Sequence, residues 1–415
     1  SPAGDPLASL QPVPEAERAV LFSGAWLGAP TGEGVTVSLV PARPIDLYAE
    51  YGPPEDPRRH RTPAVEGPAD RIVELRLSSL EPGRRYVYRL RYRPSAAHGM
   101  GAAPWSEGPK HAFRSARPPG ETFRFAFATD SHIVNKWVAS DCGSDPKGLP
   151  RFRRNLEHIA ASGVDFVVLG GDEVMTHAPR RRECFLGGES LGSKPRLEGR
   201  QAHLRYRVLR HLYGPIAAGH PVFLVLGNHD GEAAFGGHEG ECGHGLDLAQ
   251  ASRQARLAHL TNPARVYGGD PDGGYYAFEW GDALFVVLDV MGHTKRTPRS
   301  ADDWTLGRRQ LRWLERTLQR SDRAFKLVFS HHLVGGLPGR GDCYHYGRGG
   351  AYATEDGSLT APLLGEQETI DRLMRAHGAQ VFFHGHDHLF SAAAKLRALL
   401  GELLLEFFQT FLRQK

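Results

Sequence analysis

Five apolar runs in this chain each end in a short polar block, and that repetition constrains the fold more than any other feature. The runs are Phe123 to Ala128, Val164 to Leu169, Val222 to Leu226, Phe325 to Phe329 and Gln380 to Phe383. Their Val, Phe and Leu content is that of fully buried strands. The blocks behind them are Asp130-Ser131-His132, Gly171-Asp172-Glu173, Gly227-Asn228-His229-Asp230, His331-His332 and Gly385-His386-Asp387-His388. Between several runs, apolar residues recur at three- and four-residue spacing, as in Phe152, Leu156 and Ile159, or Leu306, Leu311, Leu314 and Leu318. Such spacing predicts helices. Alternating strand and helix implies α/β layering, in which ligands gather at the carboxyl ends of the strands.

The blocks offer carboxylates, an amide carbonyl and imidazoles, the donor types that suit borderline divalent metals such as Zn, Mn or Fe. None contains a thiol, which points away from a zinc finger and towards hydrolytic chemistry. Asp130 and His132, separated by one residue, point the same way from a strand end and can share one ion. Asp172 is the natural bridge, because a carboxylate has enough lone pairs for two cations. Asn228 supplies a neutral oxygen, and His331 or His332 joins His386 and His388 to complete two shells. Two cations about 3.5–4 Å apart would activate a shared water and clamp a phosphoryl group during in-line displacement. His229, adjacent to a ligand, can protonate the leaving oxygen or stabilise developing charge. Glu173 is expected as an outer acceptor, and His332, His384 and His293 as core or supporting histidines.

A chain of 415 residues is long enough for two cores. Lys and Arg number 51 against 47 acidic residues, a net of only +4, which does not argue for a nucleic-acid partner by bulk electrostatics, and none is expected. No stretch reaches the length of a membrane span. Residues 1–118 have a different rhythm: Val35 to Val40, Ile45 to Tyr51, Arg71 to Leu77 and Arg85 to Arg93 alternate apolar and polar positions. Turn clusters separate these stretches, which predicts an antiparallel β-sandwich serving as a scaffold. Arg117-Pro118-Pro119-Gly120 reads as a linker to a second domain over 121–390. Long loops after the blocks should wall a pocket, and Arg180, Arg181, Arg182, Arg340 and Arg348 within them either hold a phosphate or form solvated charge. Residues 391–415 carry Leu and Phe at helical spacing, an amphipathic helix expected to dock on its own domain, the alternatives being a membrane or a second subunit through which the protein would oligomerise.

Cys142, Cys184, Cys242 and Cys343 each lie twelve residues behind a block residue. Two disulfides bracing the rim of an exported, extracellular or periplasmic protein are expected. Four reduced thiols, or a further metal site with His238, His244 or His345, are the alternatives.

The order Asp-x-His, Gly-Asp, Gly-Asn-His-Asp, His, Gly-His-x-His resembles the calcineurin-like metallophosphoesterase superfamily over roughly residues 121–390. The resemblance implies a four-layer αββα sandwich and two metal ions. It also implies Asp130, His132, Asp172 and His388 on one ion and Asp172, Asn228, His331 and His386 on the other, with His229 touching the reacting phosphate. A small-molecule phosphomonoester or phosphodiester is the implied substrate. In the fourth block it favours His331 over His332, although Leu333 stands where relatives usually have Pro. The stretch Leu77 to Gly83 followed by Tyr86, Tyr88 and Leu90 resembles a fibronectin type III domain, and a sandwich fused to this catalytic domain is similar to the purple acid phosphatases. Those enzymes carry Gly and Tyr where this chain has His132 and Met175, which implies a non-purple centre. The competing expectation is a catalytically weak protein whose sandwich binds a partner.

Overall fold

A computed structural model describes residues 21–95, 103–133, 148–174, 199–232, 245–263, 266–290, 306–332 and 366–386. All four cysteines, His388, the arginines 180–182, 340 and 348, and the segment 391–415 lie outside the described residues. The expectations attached to them therefore stay expectations.

The N-terminal part is built from eight strands: β1 (Leu21–Thr31), β2 (Gly34–Pro41), β3 (Ile45–Gly52), β4 (His60–Arg61), β5 (Val65–Gly67), β6 (Val73–Leu77), β7 (Arg85–Pro94) and β8 (Ser106–Arg114). They form two antiparallel sheets, ordered β1-β2-β6 and β4-β3-β7-β8, with β5 paired to β3. Val73, Leu75 and Leu77 of β6 face inward while Glu74 and Arg76 face out, the period-two pattern of a half-buried strand. They meet Leu47, Ala49 and Tyr51 of β3 and Tyr86, Tyr88 and Leu90 of β7, which closes a sandwich core. Alternation alone misses β1 and β8, since β1 carries Gly24, Gly28 and Pro30, and β8 is dominated by polar residues and a proline. Such composition reads as turn or loop.

The second part holds two more sheets. The first comprises β9 (Phe125–Ala128), β10 (Phe166–Leu169) and β11 (Val222–Leu224), all parallel in the order β11-β10-β9. The second comprises β12 (Tyr276–Trp280), β13 (Ala283–Val287), β14 (Phe325–Phe329) and β15 (Val381–Phe383) in sequence order. Only its β12–β13 pair is antiparallel. Phe166, Phe223, Phe278, Trp280, Phe285 and Phe329 fill the space between the sheets. Phe223 and Phe278 stack with centroids 3.7 Å apart. Successive residues of β10 serve opposite faces: Phe166 and Val168 enter this aromatic layer, and Val167 and Leu169 turn to the helices.

Helices α1 (Gly148–Ala161), α2 (Gly199–Ala217) and α3 (Gly245–His259) follow the first sheet's strands, and α4 (Gly307–Arg320) and α5 (Glu366–Ala376) belong to the second. Leu156 of α1 with Tyr206, Leu209 and Tyr213 of α2 cover Val167 and Leu169. Trp313, Leu314 and Leu318 of α4 with Ile370 and Leu373 of α5 cover Leu284, Val286 and Val328. The result is the four-layer αββα arrangement preceded by a β-sandwich. Two of the five apolar runs are less buried than their composition predicts. β9 and β15 are only half-buried, and each is an edge strand of its sheet among the described residues.

The two parts are docked. Strand β2 is buried along its whole length, since Ser38 on its outer face meets the buried guanidinium of Arg210 on α2. Arg210 donates to the carbonyl oxygens of Ser38 and His259 at 2.9 and 2.8 Å. Trp26 of β1 joins the core beneath α2 and donates its indole N–H to the Arg210 carbonyl at 3.0 Å. Tyr88 donates its hydroxyl to the Ala218 carbonyl at 2.8 Å. The expected linker is pinned as well: Arg117 pairs with buried Asp165 at 2.9 Å, and the Gly120 N–H donates to Asp282 at 2.9 Å.

Candidate metal centre

All five runs deliver their blocks to one end of the two facing sheets. Asp130 follows β9, Asp172 follows β10, Asn228 follows β11, His331 follows β14 and His386 follows β15. At three of the blocks the backbone takes a left-handed turn. Seven non-glycine residues have positive φ among the described residues, and four are block residues: Asp130 at 54°, His132 at 46°, Asp172 at 58° and His386 at 77°. A left-handed conformation costs an ordinary residue roughly 1–3 kcal/mol and persists only where its surroundings enforce it. Here the enforcement is visible. Asp130 N–H donates to the Gly171 carbonyl at 3.0 Å, and His132 N–H donates to the Asp172 carbonyl at 3.1 Å.

The glycines of the blocks have steric causes. Gly171 has φ of 103°, and a Cβ there would lie 2.6 Å from Nδ1 of His331. At Gly385 a Cβ would collide with the side chains of Thr129 and Asp130. Removing the side chain lets strand ends from both sheets converge.

Two groups of ligand atoms result. Asp130, His132 and Asp172 bring one donor each within 4.8 Å of one another, and Asp172, His331 and His386 do the same. Asp172 belongs to both. Its Oδ2 is 3.1 Å from Nε2 of His331 and 4.0 Å from Nε2 of both His132 and His229. Asn228 joins through Oδ1, 3.0 Å from Nδ1 of His386. His331 donates Nδ1–H to the Gly170 carbonyl at 2.8 Å, which turns Nε2 towards the carboxylates. His332, by contrast, is buried against the ring of His386, with centroids 4.5 Å apart. The donor set, two carboxylates and an amide with several imidazoles, fits hard-to-borderline divalent cations.

The electrostatics agree with a site shaped for positive charge. Burial alone would raise Asp172, but the surrounding imidazoles of His331, His229 and His132 outweigh it and hold the carboxyl well below its usual range. The converse holds for His331: burial disfavours its charge, yet Asp172 and Asp130 push it up to about 10. Anionic carboxylates gathered in a buried place require cations.

Two acids that the blocks contain beside the candidate ligands turn out to be structural centres. Asp230 is fully buried and its carboxylate accepts four backbone N–H groups. These come from Asp172 at 3.0 Å, Glu173 at 3.0 Å, Val174 at 2.9 Å and Gly227 at 2.8 Å. It ties the loop after β10 to the loop after β11, although burial and neighbouring Asp172 push its pKa up to about 6. Glu173, expected as an outer acceptor, accepts hydrogen bonds from the Ser131 hydroxyl and, at 2.7 Å, from the Tyr213 hydroxyl of α2. Burial pushes its carboxyl up to about 8. The signal for both was position alone, an acid immediately beside or two after a ligand.

Comparison with known proteins matches residues 123–390 to the calcineurin-like phosphoesterase family. No curated protein sequence matches the chain. Among solved structures, purple acid phosphatase PPD1 from seeds of yellow lupin (Lupinus luteus) is similar with a TM-score of 0.58 and 16% identity, over 89% of this chain. This chain spans 58% of the lupin protein's length. PhoD is similar with a TM-score of 0.61 and 17% identity, over 89% of this chain and 72% of PhoD. At such identities the two likenesses speak to the fold, and they extend beyond the catalytic layers. With the family match covering well over half of the residues, and the five blocks converging in its order, the chain belongs to the calcineurin-like phosphoesterase family.

Proposed function

We propose that this protein hydrolyses a small-molecule phosphomonoester or phosphodiester using two metal ions. The observation that carries the reading is that Asp172 is shared by two separate three-residue ligand groups. In this reading Asp130, His132 and Asp172, with His388, hold one ion; Asp172, Asn228, His331 and His386 hold the other. Zn, Fe or Mn suits these donors. When bound, the pair would supply Lewis acidity, activating a water and neutralising charge on the phosphoryl oxygens.

The chain's residues do the positioning. The His229 N–H donates to Oδ1 of Asp172 at 2.8 Å, which fixes its backbone beside the bridge. Its ring stands edge-on to His132 with centroids 5.3 Å apart, at the open side of the ligand group. It is placed to give a proton to the leaving oxygen, or to hold charge developing there. The aromatic layer and Asp230 supply rigidity, so that ligands borne on five loops keep one geometry.

In the same proposal residues 1–118 are a fibronectin-like scaffold, 121–390 the catalytic domain, and 391–415 a helical tail, with the protein exported and its rim cysteines paired. The test combines metal analysis with kinetics. Purified protein should carry close to two metal ions per chain and hydrolyse aryl phosphates. Asp172→Asn and Asn228→Ala should abolish turnover and lower metal content. His229→Ala should keep its metal and lose about 10²–10⁴-fold in kcat, the usual yield of a general acid. Undiminished turnover by Asp172→Asn after chelation would sink the reading.

A further inference from the structure

Helix α4 carries a row of charged side chains that its packing against the sheet does not explain. On a helix with 3.6 residues per turn, Arg309, Arg316 and Arg320 fall within about 40° of one another, and the line they form is about 16 Å long. All three are exposed. None makes an ion pair with a described residue, whereas nearby Arg323 is committed to Glu279 at 2.7 Å. The three arginines border a cleft of about 370 Å³ whose other side is formed by Tyr267 to Gly269 and Tyr275, while Trp313 of α4 itself lines it between the arginines. Trp313 is fixed by donating its indole N–H to the Tyr267 carbonyl at 2.9 Å, and the Arg320 guanidinium lies over the Tyr267 ring at 5.8 Å. The cleft shares no residue with the metal-ligand groups.

We propose that this cleft binds a short chain of condensed phosphates. Three guanidinium groups in a row match an elongated multivalent anion better than a single phosphate, which one or two arginines would satisfy. The aromatic side chains decide between a bare phosphate chain and a single-stranded nucleic acid. Tyr275 and Trp313 are only 4% and 5% exposed, so they offer edges and a hydroxyl but no open ring face on which a base could stack. Asp270 and Asp289 act on Tyr275 from the strand side, as do Arg309 and Arg316 from the helix.

The experiment is calorimetric titration of tripolyphosphate into the full-length protein, into Asp172→Asn, and into Arg309→Gln/Arg316→Gln/Arg320→Gln. Wild type and Asp172→Asn should bind one tripolyphosphate per chain, with affinity falling as salt is raised. The triple variant should lose at least about tenfold in affinity while keeping wild-type aryl phosphatase kinetics. Arg308→Gln/Arg312→Gln removes two charges from another side of the same helix and should bind like wild type. Binding lost in Asp172→Asn but kept in the triple variant would assign the anion to the metal centre and overturn the proposal. An equal loss in the Arg308/Arg312 variant would reduce it to general charge, with the same consequence. Tighter binding of a thymidine oligonucleotide than of tripolyphosphate would overturn the condensed-phosphate assignment. Arg316→Glu alone supplies an independent check, and its affinity should fall further than that of Arg316→Gln.

Discussion

Replacing His259 with glutamine should remove a defined part of this protein's sensitivity to acid. His259 is the last residue of α3 and is fully buried where the β-sandwich meets α2. Its Nε2 lies 3.0 Å from Nδ1 of His203, so one nitrogen donates and the other accepts, and both rings cannot be fully protonated together. Burial first, then Arg207, His203 and Arg210, push its pKa down to about 2. Around His203, Arg207 and Arg71 oppose a positive charge and Asp70 favours it, with burial the larger influence.

In the unfolded chain His259 returns to its ordinary value of 6.5. Below that pH the unfolded chain binds a proton that the folded chain refuses, so stability is lost as pH falls, by about 1.4 kcal/mol per unit. Between about pH 7.5 and about pH 5 the loss integrates to about 2 kcal/mol. Glutamine keeps an amide near His203 and does not titrate. Urea unfolding of wild type and His259→Gln at both pH values should therefore show their stability difference shifting by about 2 kcal/mol towards the variant on acidification. A difference independent of pH would refute the argument, because it would mean that the folded protein accepts the proton.

Three further outcomes are expected. Asp230→Ala leaves four buried N–H groups without their acceptor, at roughly 1–3 kcal/mol each, and should lower the melting temperature steeply in a thermal scan, with Asp230→Asn intermediate. Trp26→Ala should cost about 3–5 kcal/mol and expose the Arg117 to Gly120 segment to proteases, because the indole bridges the two parts; wild-type protease resistance would contradict this. Glu173→Ala should lower metal retention by the Asp130 and His132 group after dialysis, since it releases the Ser131 hydroxyl between them, whereas Glu173→Gln should preserve most of it.

Much of the candidate site was legible because its ligands sit in short blocks behind apolar runs, and both features are local. Asp130, His132, Asp172, Asn228, His331 and His386 all arrive at one end of the facing sheets. His331 was separable from His332 only by resemblance; in the structure the Gly170 carbonyl turns His331 towards Asp172 while His332 packs behind His386. The role of Asp230 was not legible, and for Glu173 the acceptor role was legible but its partners were not. Both act through partners distant in sequence, such as Tyr213 or the backbone at Asp172, and no local pattern encodes such a partner. The arginine row on α4 was present in the helical periodicity, yet its meaning depends on a cleft closed by Tyr267 and Tyr275 from another element.

Periodicity and side-chain chemistry by themselves determined the alternation of strand and helix, the strand ends that carry the candidate ligands, and the presence of an all-β part before an α/β part. They could do so because burial every second or every 3.6 residues and ligand type are properties of a few neighbouring residues. Only the tertiary structure decided that β2 has no solvent face, that a supposed linker is clamped to Asp165 and Asp282, and that Asp230 ties the loop after β10 to the loop after β11. Each of these depends on which surfaces meet, and that is set by packing between elements well separated in sequence, such as Ser38 against Arg210.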